Sequence, residues 1–82
     1  MKDKTYELKK QLAHCPVNET DEVVLYEVAT IPKRSDDDIV EYVTWFKDSK
    51  GSLYWGNYFL NKRDATKDFA NRILDEAKRE DK

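Results

Sequence analysis

The sequence predicts an α+β fold in which a three-stranded antiparallel meander sheet carries an N-terminal and a C-terminal helix on one face (order α-β-β-β-α). Two segments rich in aromatic and β-branched residues flank a short turn with glycine, and a third such segment precedes them. The regions at both ends lack glycine and proline, and they place apolar residues at helical spacing. Helices gathered on one face of an antiparallel sheet form a common two-layer arrangement.

Length and composition limit the classes of protein to be considered. The chain has 82 residues, a formal net charge of −2, and equal shares of hydrophobic and charged residues, 39% each. We expect a single domain over residues 1–82 with a thin core, because a chain of this size buries only about 60% of its unfolded surface. The sequence has neither a run of about 20 apolar residues nor a secretory signal. We therefore expect a cytoplasmic protein that does not contact membranes.

The first predicted element is a short helix over about residues 3–14. This segment contains neither glycine nor proline, and Leu8 and Leu12 stand at positions i and i+4. Pro16 would end the helix, because a proline disfavours helical backbone angles at the residue before it, here Cys15.

The next predicted element is a strand over about residues 23–31. The polar stretch 18–22 predicts the loop before it, and β-branched residues dominate the segment itself. Pro32 bounds the strand, and the charged residues 33–38 predict a connection to the next element.

A β-hairpin is predicted from two strands, residues 39–47 and 53–60. Asp48 and Gly51 stand between them at the spacing of a type I turn followed by a glycine in the left-handed conformation. In such a turn the aspartate side chain accepts hydrogen bonds from nearby backbone amides, and glycine occupies a position where a Cβ atom is unfavourable.

Loop length decides which hairpin side chains share a face. A three-residue loop pairs Asp48 with Ser52 and places Trp45 opposite Trp55. One face then carries the side chains that we expect to form the core under the helices, namely Ile39, Val43, Trp45, Leu53, Trp55 and Phe59. A four-residue loop would turn each side chain of the second hairpin strand to the opposite face and bring Trp55 beside Tyr42.

The last predicted element is a helix over about residues 62–79. Asn61 is a typical N-cap residue, and Asp64 stands three positions later, as in a capping box. A helical projection places the apolar residues on one half, which we expect to be buried: Ala65, Phe69, Ala70, Ile73, Leu74 and Ala77. The other half is polar and is expected to face solvent: Lys67, Asp68, Asn71, Arg72, Asp75, Glu76, Lys78 and Arg79.

The sequence offers little for catalysis, so we expect a non-enzymatic protein without a cofactor, a metal site or a small-molecule substrate. His14 and Cys15 are the only residues of their types, and neighbours on a helix point about 100° apart. A structural zinc site needs four nitrogen or sulfur ligands. The acidic run 36–38 lacks the spacing of a calcium loop and predicts a solvated connection.

The second face of the hairpin is the candidate partner-binding surface. Tyrosine suits such a surface because it combines a large contact area with few rotatable bonds and a polar tip. We expect a protein partner there, or a second copy of the chain in a homodimer, with the anchors Tyr42, Phe46, Tyr54 and Tyr58. The alternative is that the first helix covers this face.

Nucleic-acid binding is the alternative function. Aromatic side chains on a sheet can stack on bases, and basic residues near the hairpin tip and the start of the last helix can contact phosphates. The candidate phosphate-binding residues are Lys47, Lys50, Lys62, Arg63 and Lys67. The acidic net charge of the chain argues against this function.

Residues 40–70 resemble the arm-type DNA-binding domains of tyrosine integrases. The resemblance lies in the stretches 41–51 and 58–65 followed by Phe69, where a strand, a turn with aspartate and glycine, a second strand and a capped helix succeed one another. The predicted order of one helix, three strands and one helix is also similar to the double-stranded-RNA-binding fold. Both resemblances imply contact with DNA or structured RNA.

Together these features predict a small binding module that acts on a macromolecule. An acidic, aromatic-rich domain of this size also resembles the accessory and inhibitor proteins of phages and mobile elements. The predicted action is protein–protein interaction, of a regulatory or inhibitory kind, through an aromatic sheet face.

Overall fold

A computed structural model describes residues 5–32 and 39–80, which form a four-stranded antiparallel sheet and one C-terminal helix. The α+β class is therefore confirmed. The strands follow one another as a meander, so each strand lies beside its neighbours in sequence. The elements are β1 (Thr5–Pro16), β2 (Glu22–Pro32), β3 (Ile39–Lys47), β4 (Leu53–Phe59) and α1 (Lys62–Glu80). The predicted connection 33–38, including its acidic run, lies outside the described residues.

The prediction of an N-terminal helix was wrong, and with it the prediction of three strands. Residues 5–16 form β1, which pairs with β2 from Thr5 opposite Pro32 to Pro16 opposite Glu22. A 12-residue helix with one apolar i, i+4 pair is marginal in water, whereas the strand pairs with β2 along its length except for an irregularity at Leu12. The side chain of Asn18 accepts hydrogen bonds from the backbone of Thr20 and Asp21, so this turn forms the hairpin.

The turn between β3 and β4 has the predicted geometry. The Asp48 carboxylate accepts hydrogen bonds from the backbone N–H groups of Lys50 and Ser52, at 2.9 and 3.0 Å. Gly51 adopts φ +89°, a left-handed conformation that favours glycine. The three-residue loop pairs Lys47 with Leu53, which is the predicted register next to the turn.

A β-bulge then changes the register beyond Tyr54. Phe46 pairs with Tyr54, but Thr44 pairs with Asn57, so one extra residue has entered β4. Trp55 lies at this position with φ +56° and points to the side of the sheet opposite Trp45. The prediction that the two tryptophans face each other was therefore wrong.

The helix covers the side of the sheet that was expected to be free. Residues paired directly across antiparallel strands point to the same side, so Val23 and Leu25 share a side with Phe46 and Thr44. We call this the helix side, because Asp68 of α1 accepts hydrogen bonds from Thr44 on β3 and from Asn57 on β4. The predicted core face, with Val43, Trp45 and Leu53, is the other side.

On this other side, the open side, no element of residues 5–32 and 39–80 packs against the strands. Its valines are nevertheless buried, because Trp45 and neighbouring side chains lie across them. The group consists of Val24, Val28, Val43 and Trp45, with Tyr26 and Leu53 packed against it. The radius of gyration is 14.8 Å, against about 12 Å for a compact chain of this length, as a thin two-layer structure requires.

Helix α1 begins as predicted, but the side that it turns toward the sheet is not centred on its apolar residues. Asn61 accepts a hydrogen bond from the backbone N–H of Asp64 and donates one to its carboxylate. Ala65 is fully buried, and Phe69 and Ile73 are half-buried, as predicted. The prediction was wrong for the exposed residues Ala70, Leu74 and Ala77, and for Asp68, Arg72 and Glu76, which are half-buried.

Candidate functional site

The predicted aromatic platform is divided between the two sides of the sheet. Tyr42, Phe46 and Tyr54 lie on the helix side, where each is half-buried. Tyr58 pairs with Val43 and contacts Trp45, so it lies on the open side, with 59% of its surface exposed. The bulge after Tyr54 causes this division, since one extra residue reverses the orientation of the remainder of β4.

Three aromatic rings form a continuous ledge on the helix side, at the edge of the sheet. Phe46 and Tyr54 are stacked, with ring centroids 5.6 Å apart and planes 20° from parallel. Trp55 meets both rings edge to face, with centroids 5.8 Å from Phe46 and 5.3 Å from Tyr54. We call these residues the aromatic ledge. Trp55 is its outer member, with 71% of its surface exposed.

The backbone of Trp55 is strained. A bulky residue at φ +56° is an outlier, and a left-handed conformation costs roughly 1–2 kcal/mol for an L-amino acid. Arg72 Nη2 donates a hydrogen bond of 2.6 Å to the Trp55 carbonyl oxygen. This bond helps to hold the backbone of the bulge, and the edge-to-face contacts with Phe46 and Tyr54 orient the indole.

Arg72 is in turn fixed by a polar network between the helix and the sheet. One oxygen of Asp68 accepts hydrogen bonds from Thr44 on β3, from Asn57 on β4 at 3.1 Å and from Arg72 Nε at 3.0 Å. Thr44 is fully buried, and the Arg72 side chain is 11% exposed. The network therefore joins three elements in a partly dry interface, where a charged acceptor forms strong hydrogen bonds.

The same network shifts the pKa of Asp68. Burial by itself raises the pKa of this carboxyl, but the hydrogen bonds from Thr44, Asn57 and Arg72 and the charge of Arg72 outweigh burial. The pKa of Asp68 is consequently lower than its usual value of 3.8. Asp68 is ionised at neutral pH, as its three donors require.

The guanidinium of Arg72 also contacts the ledge directly. Its Cζ atom lies 5.1 Å from the centroid of the Phe46 ring, a cation–π geometry. Nη1 is buried and has no hydrogen-bond partner among the described residues. The face of the Phe46 ring is a weak acceptor for such a group, so the aromatic contact compensates in part.

Tyr54 joins the ledge to the turn between β1 and β2. Its hydroxyl donates a 2.9 Å hydrogen bond to the carboxylate of Asp21. Burial and the hydrogen bond to Asp21 raise the pKa of Tyr54 above its ordinary value of 10, so the hydroxyl stays protonated as a donor. The inner part of the ledge therefore links the hairpin of β3 and β4 to the turn between β1 and β2.

The open side has an aromatic group of its own. Tyr26 and Tyr58 meet Trp45 edge to face, with centroids 5.6 and 6.0 Å away. Lys9 Nζ lies 5.7 Å from the centroid of the Trp45 ring. A Cβ atom on Gly56 would lie 2.4 Å from Trp45 Nε1, so this glycine makes room for the indole. Trp45 is only 9% exposed and is part of the core.

The five candidate phosphate-binding residues do not form one cluster. Lys47 and Lys50 lie at the turn between β3 and β4. Lys62, Arg63 and Lys67 lie in the first turns of α1, which begins after the opposite end of β4. The seven residues of β4 separate the two groups by about 20 Å along the strand.

The neighbouring residues His14 and Cys15 point to opposite sides of the sheet, as alternation along β1 requires. The imidazole Nδ1 of His14 lies 2.9 Å from a carboxylate oxygen of Glu22. Cys15 is half-buried on the helix side. The two side chains do not form a thiol–imidazole pair.

Other sites in the described ranges are limited. Residues 5–32 and 39–80 contain no group of three or more His, Cys, Asp or Glu side chains placed to hold a metal ion. An open groove of about 570 Å³ lies between the two hairpin turns, lined by polar residues that include Lys47, Asp48 and Lys50. The helix found among the described residues, α1, is not apolar enough to cross a membrane.

Trp55, Asp68 and Arg72 were not among the predicted site residues. Hydropathy placed Asp68 and Arg72 on the solvent half of the helix, because a buried polar network has no apolar pattern. One signal for Trp55 was present: Gly56 interrupts an otherwise aromatic strand, and isolated glycines in strands often mark bulges.

Comparisons of the chain with protein-family models, curated proteins and solved structures found no match.

Proposed function

We propose that this chain is a small non-catalytic module that binds a protein partner through the aromatic ledge. The observation that carries the proposal is Trp55, which is 71% exposed and held in a strained backbone conformation by Arg72. Strained residues concentrate at functional sites, and tryptophan is enriched among the residues that dominate interface energies.

The geometry around Trp55 favours recognition over catalysis. Phe46 and Tyr54 support the indole from one side, so little side-chain freedom remains to be lost on binding. A preorganised aromatic residue surrounded by polar groups resembles the centre of a protein interface. The acidic net charge of the chain and its small size fit a regulatory or inhibitory protein, with a second copy of the chain as one form of partner.

The first test compares Trp55→Ala with Leu74→Ala in affinity capture and light scattering. Leu74 is a matched control, because it is an exposed apolar residue (57%) on the outer side of α1, away from the ledge. We expect the wild type and Leu74→Ala to form the same complex, whether with another protein or with a second copy. Trp55→Ala should weaken that complex at least tenfold, which corresponds to about 1.4 kcal/mol. A complex of unchanged affinity in Trp55→Ala would overturn the proposal.

Nucleic-acid binding is the second candidate function, and the exposed basic residues of α1 favour it. Among residues 62–79, the exposed side chains include five basic and two acidic ones, a net charge of +3 in a chain of net charge −2. The basic residues are Lys62, Arg63, Lys67, Lys78 and Arg79. Lys62, Arg63 and Lys67 do not line the cleft beside the aromatic ledge, so variants of these three residues can separate the two functions.

Salt dependence tests this candidate. If Lys62, Arg63 and Lys67 each contact a phosphate, the logarithm of the affinity for duplex DNA should fall with the logarithm of salt concentration, with a slope of about −3. Replacing the three residues by glutamine should remove that dependence, and Trp55→Ala should leave it intact. Absence of binding to DNA and RNA at low salt would eliminate the candidate.

A further inference from the structure

A cleft of about 320 Å³ lies beside the aromatic ledge, between α1 and β4. Phe46, Trp55 and Asn57 line it from the sheet, and the helix contributes only charged side chains: Asp68, Arg72, Asp75, Glu76 and Arg79. An exposed indole and a row of charged groups thus border the same space.

Most charges of the cleft are already paired. Arg72 donates hydrogen bonds to the Asp68 carboxylate and to the carbonyl oxygen of Trp55. Arg79 Nη1 lies 3.4 Å from a carboxylate oxygen of Glu76. Asp75 is exposed, and it has neither an ion pair nor a side-chain hydrogen bond within residues 5–32 and 39–80. With three carboxylates and two guanidiniums, the cleft has a net charge of −1.

We infer that this cleft binds a lysine or arginine side chain of the protein partner, with the cation against the Trp55 ring and paired with Asp75. The inference rests on the proposed function, because it assigns partner chemistry to the same surface. Tryptophan is the best aromatic acceptor of a cation, and a nearby carboxylate adds attraction in a partly enclosed space. The charge of the cleft is complementary to such a group.

An anionic group fits this cleft poorly. Arg72 already donates to Asp68 and to the Trp55 carbonyl, its partnerless Nη1 atom is buried below the surface, and Arg79 is paired with Glu76 through Nη1. An incoming carboxylate or phosphate would meet Asp75 and Glu76 instead, at like charge. The chemistry of the lining therefore favours a cation.

The test uses N-acetyl-arginine amide and N-acetyl-lysine amide as probes, titrated into the labelled protein and followed by NMR. N-acetyl-glutamine amide is the neutral control. We expect saturable shifts of the Trp55 indole N–H and the Asp75 amide with at least one cationic probe, and none with the neutral one. Asp75→Asn should weaken binding about three- to fivefold, and the remote acidic control Glu19→Gln should not change it.

A third variant examines competition within the cleft. Arg79 lines the cleft and pairs with Glu76, so Arg79→Ala changes the net charge of the cleft from −1 to −2 and should strengthen probe binding. Loss of binding in Arg79→Ala, or equal shifts with the neutral probe, would overturn the inference. A partner complex that requires Trp55 but tolerates Asp75→Asn would also overturn it, while the proposed function would stand.

Discussion

Asp68→Ala is expected to lower the free energy of unfolding by about 2–4 kcal/mol, because three donors lose their shared acceptor. Thr44 is fully buried, and the guanidinium of Arg72 would lose its ion pair in an interface where its side chain is 11% exposed. For a domain of this size, that loss corresponds to a decrease in melting temperature of roughly 10–25 °C. Thermal and urea unfolding followed by circular dichroism measure it directly.

Asp75→Ala is the matched control for this variant. Asp75 lies two turns further along the same helix, is exposed, and has no described ion pair, so we expect a change within about 0.5 kcal/mol. Equal stability of Asp68→Ala and Asp75→Ala would show that the network does not attach the helix to the sheet.

The pH dependence of stability provides a second test of the same network. The pKa of Asp68 is lowered in the folded state, so its contribution is fully present above pH 3.8 and is lost as pH falls through the lower folded pKa. The difference in stability between the wild type and Asp68→Ala should therefore shrink below pH 3.8. A difference that stays constant down to pH 2 would contradict the assigned shift.

Gly56→Ala is the second substitution with a large expected effect. The added Cβ atom would lie 2.4 Å from Nε1 and 2.8 Å from Cδ1 of Trp45. The indole cannot move aside at little cost, because it is buried between Tyr26 and Tyr58. We expect a loss of about 2–3 kcal/mol and, in a Trp55→Phe background, a red shift of Trp45 fluorescence.

Gly51→Ala separates this steric effect from a general effect of replacing glycine. No atom lies within 4 Å of a Cβ at Gly51, so only its φ of +89° resists the change, at a cost of about 1 kcal/mol. Trp45 fluorescence should not change in this variant. Trp45→Leu should also reduce the cost of Gly56→Ala, since the two residues are in contact. Unaltered stability and fluorescence in Gly56→Ala would disprove the close approach.

Elements with local signals were predictable from the sequence. The turn at Asp48 and Gly51, the two strands that it joins, and the helix that begins after Asn61 all follow from short-range chemistry, and the structure has them within one residue of the predicted bounds. These features depend on a few adjacent residues, so no distant partner decides them.

The features that were not predictable depend on distant contacts. Residues 5–16 contain one apolar pair at helical spacing, but pairing with β2 decides their conformation. The extra residue at Trp55 turns the remaining side chains of β4 to the opposite side of the sheet, and this moves Tyr58 to the open side. Asp68 appears solvent-facing in a helical projection, and only the positions of Thr44 and Asn57 show its role.

The stability network and the candidate site share Arg72. The same guanidinium that pairs with Asp68 holds the carbonyl of Trp55 and contacts Phe46. Disruption of the network is therefore expected to release the indole as well as to loosen the helix. The proposed binding surface is built into the contact between helix and sheet.

The most direct test of the proposed site is the partner affinity of Trp55→Ala compared with that of Tyr58→Ala, measured by calorimetry on the captured complex. Both residues are exposed aromatics on β4, but Trp55 belongs to the helix side and Tyr58 to the open side. We expect a loss of at least tenfold for Trp55→Ala and less than threefold for Tyr58→Ala. The reverse order would place the binding surface on the open side and contradict the proposal.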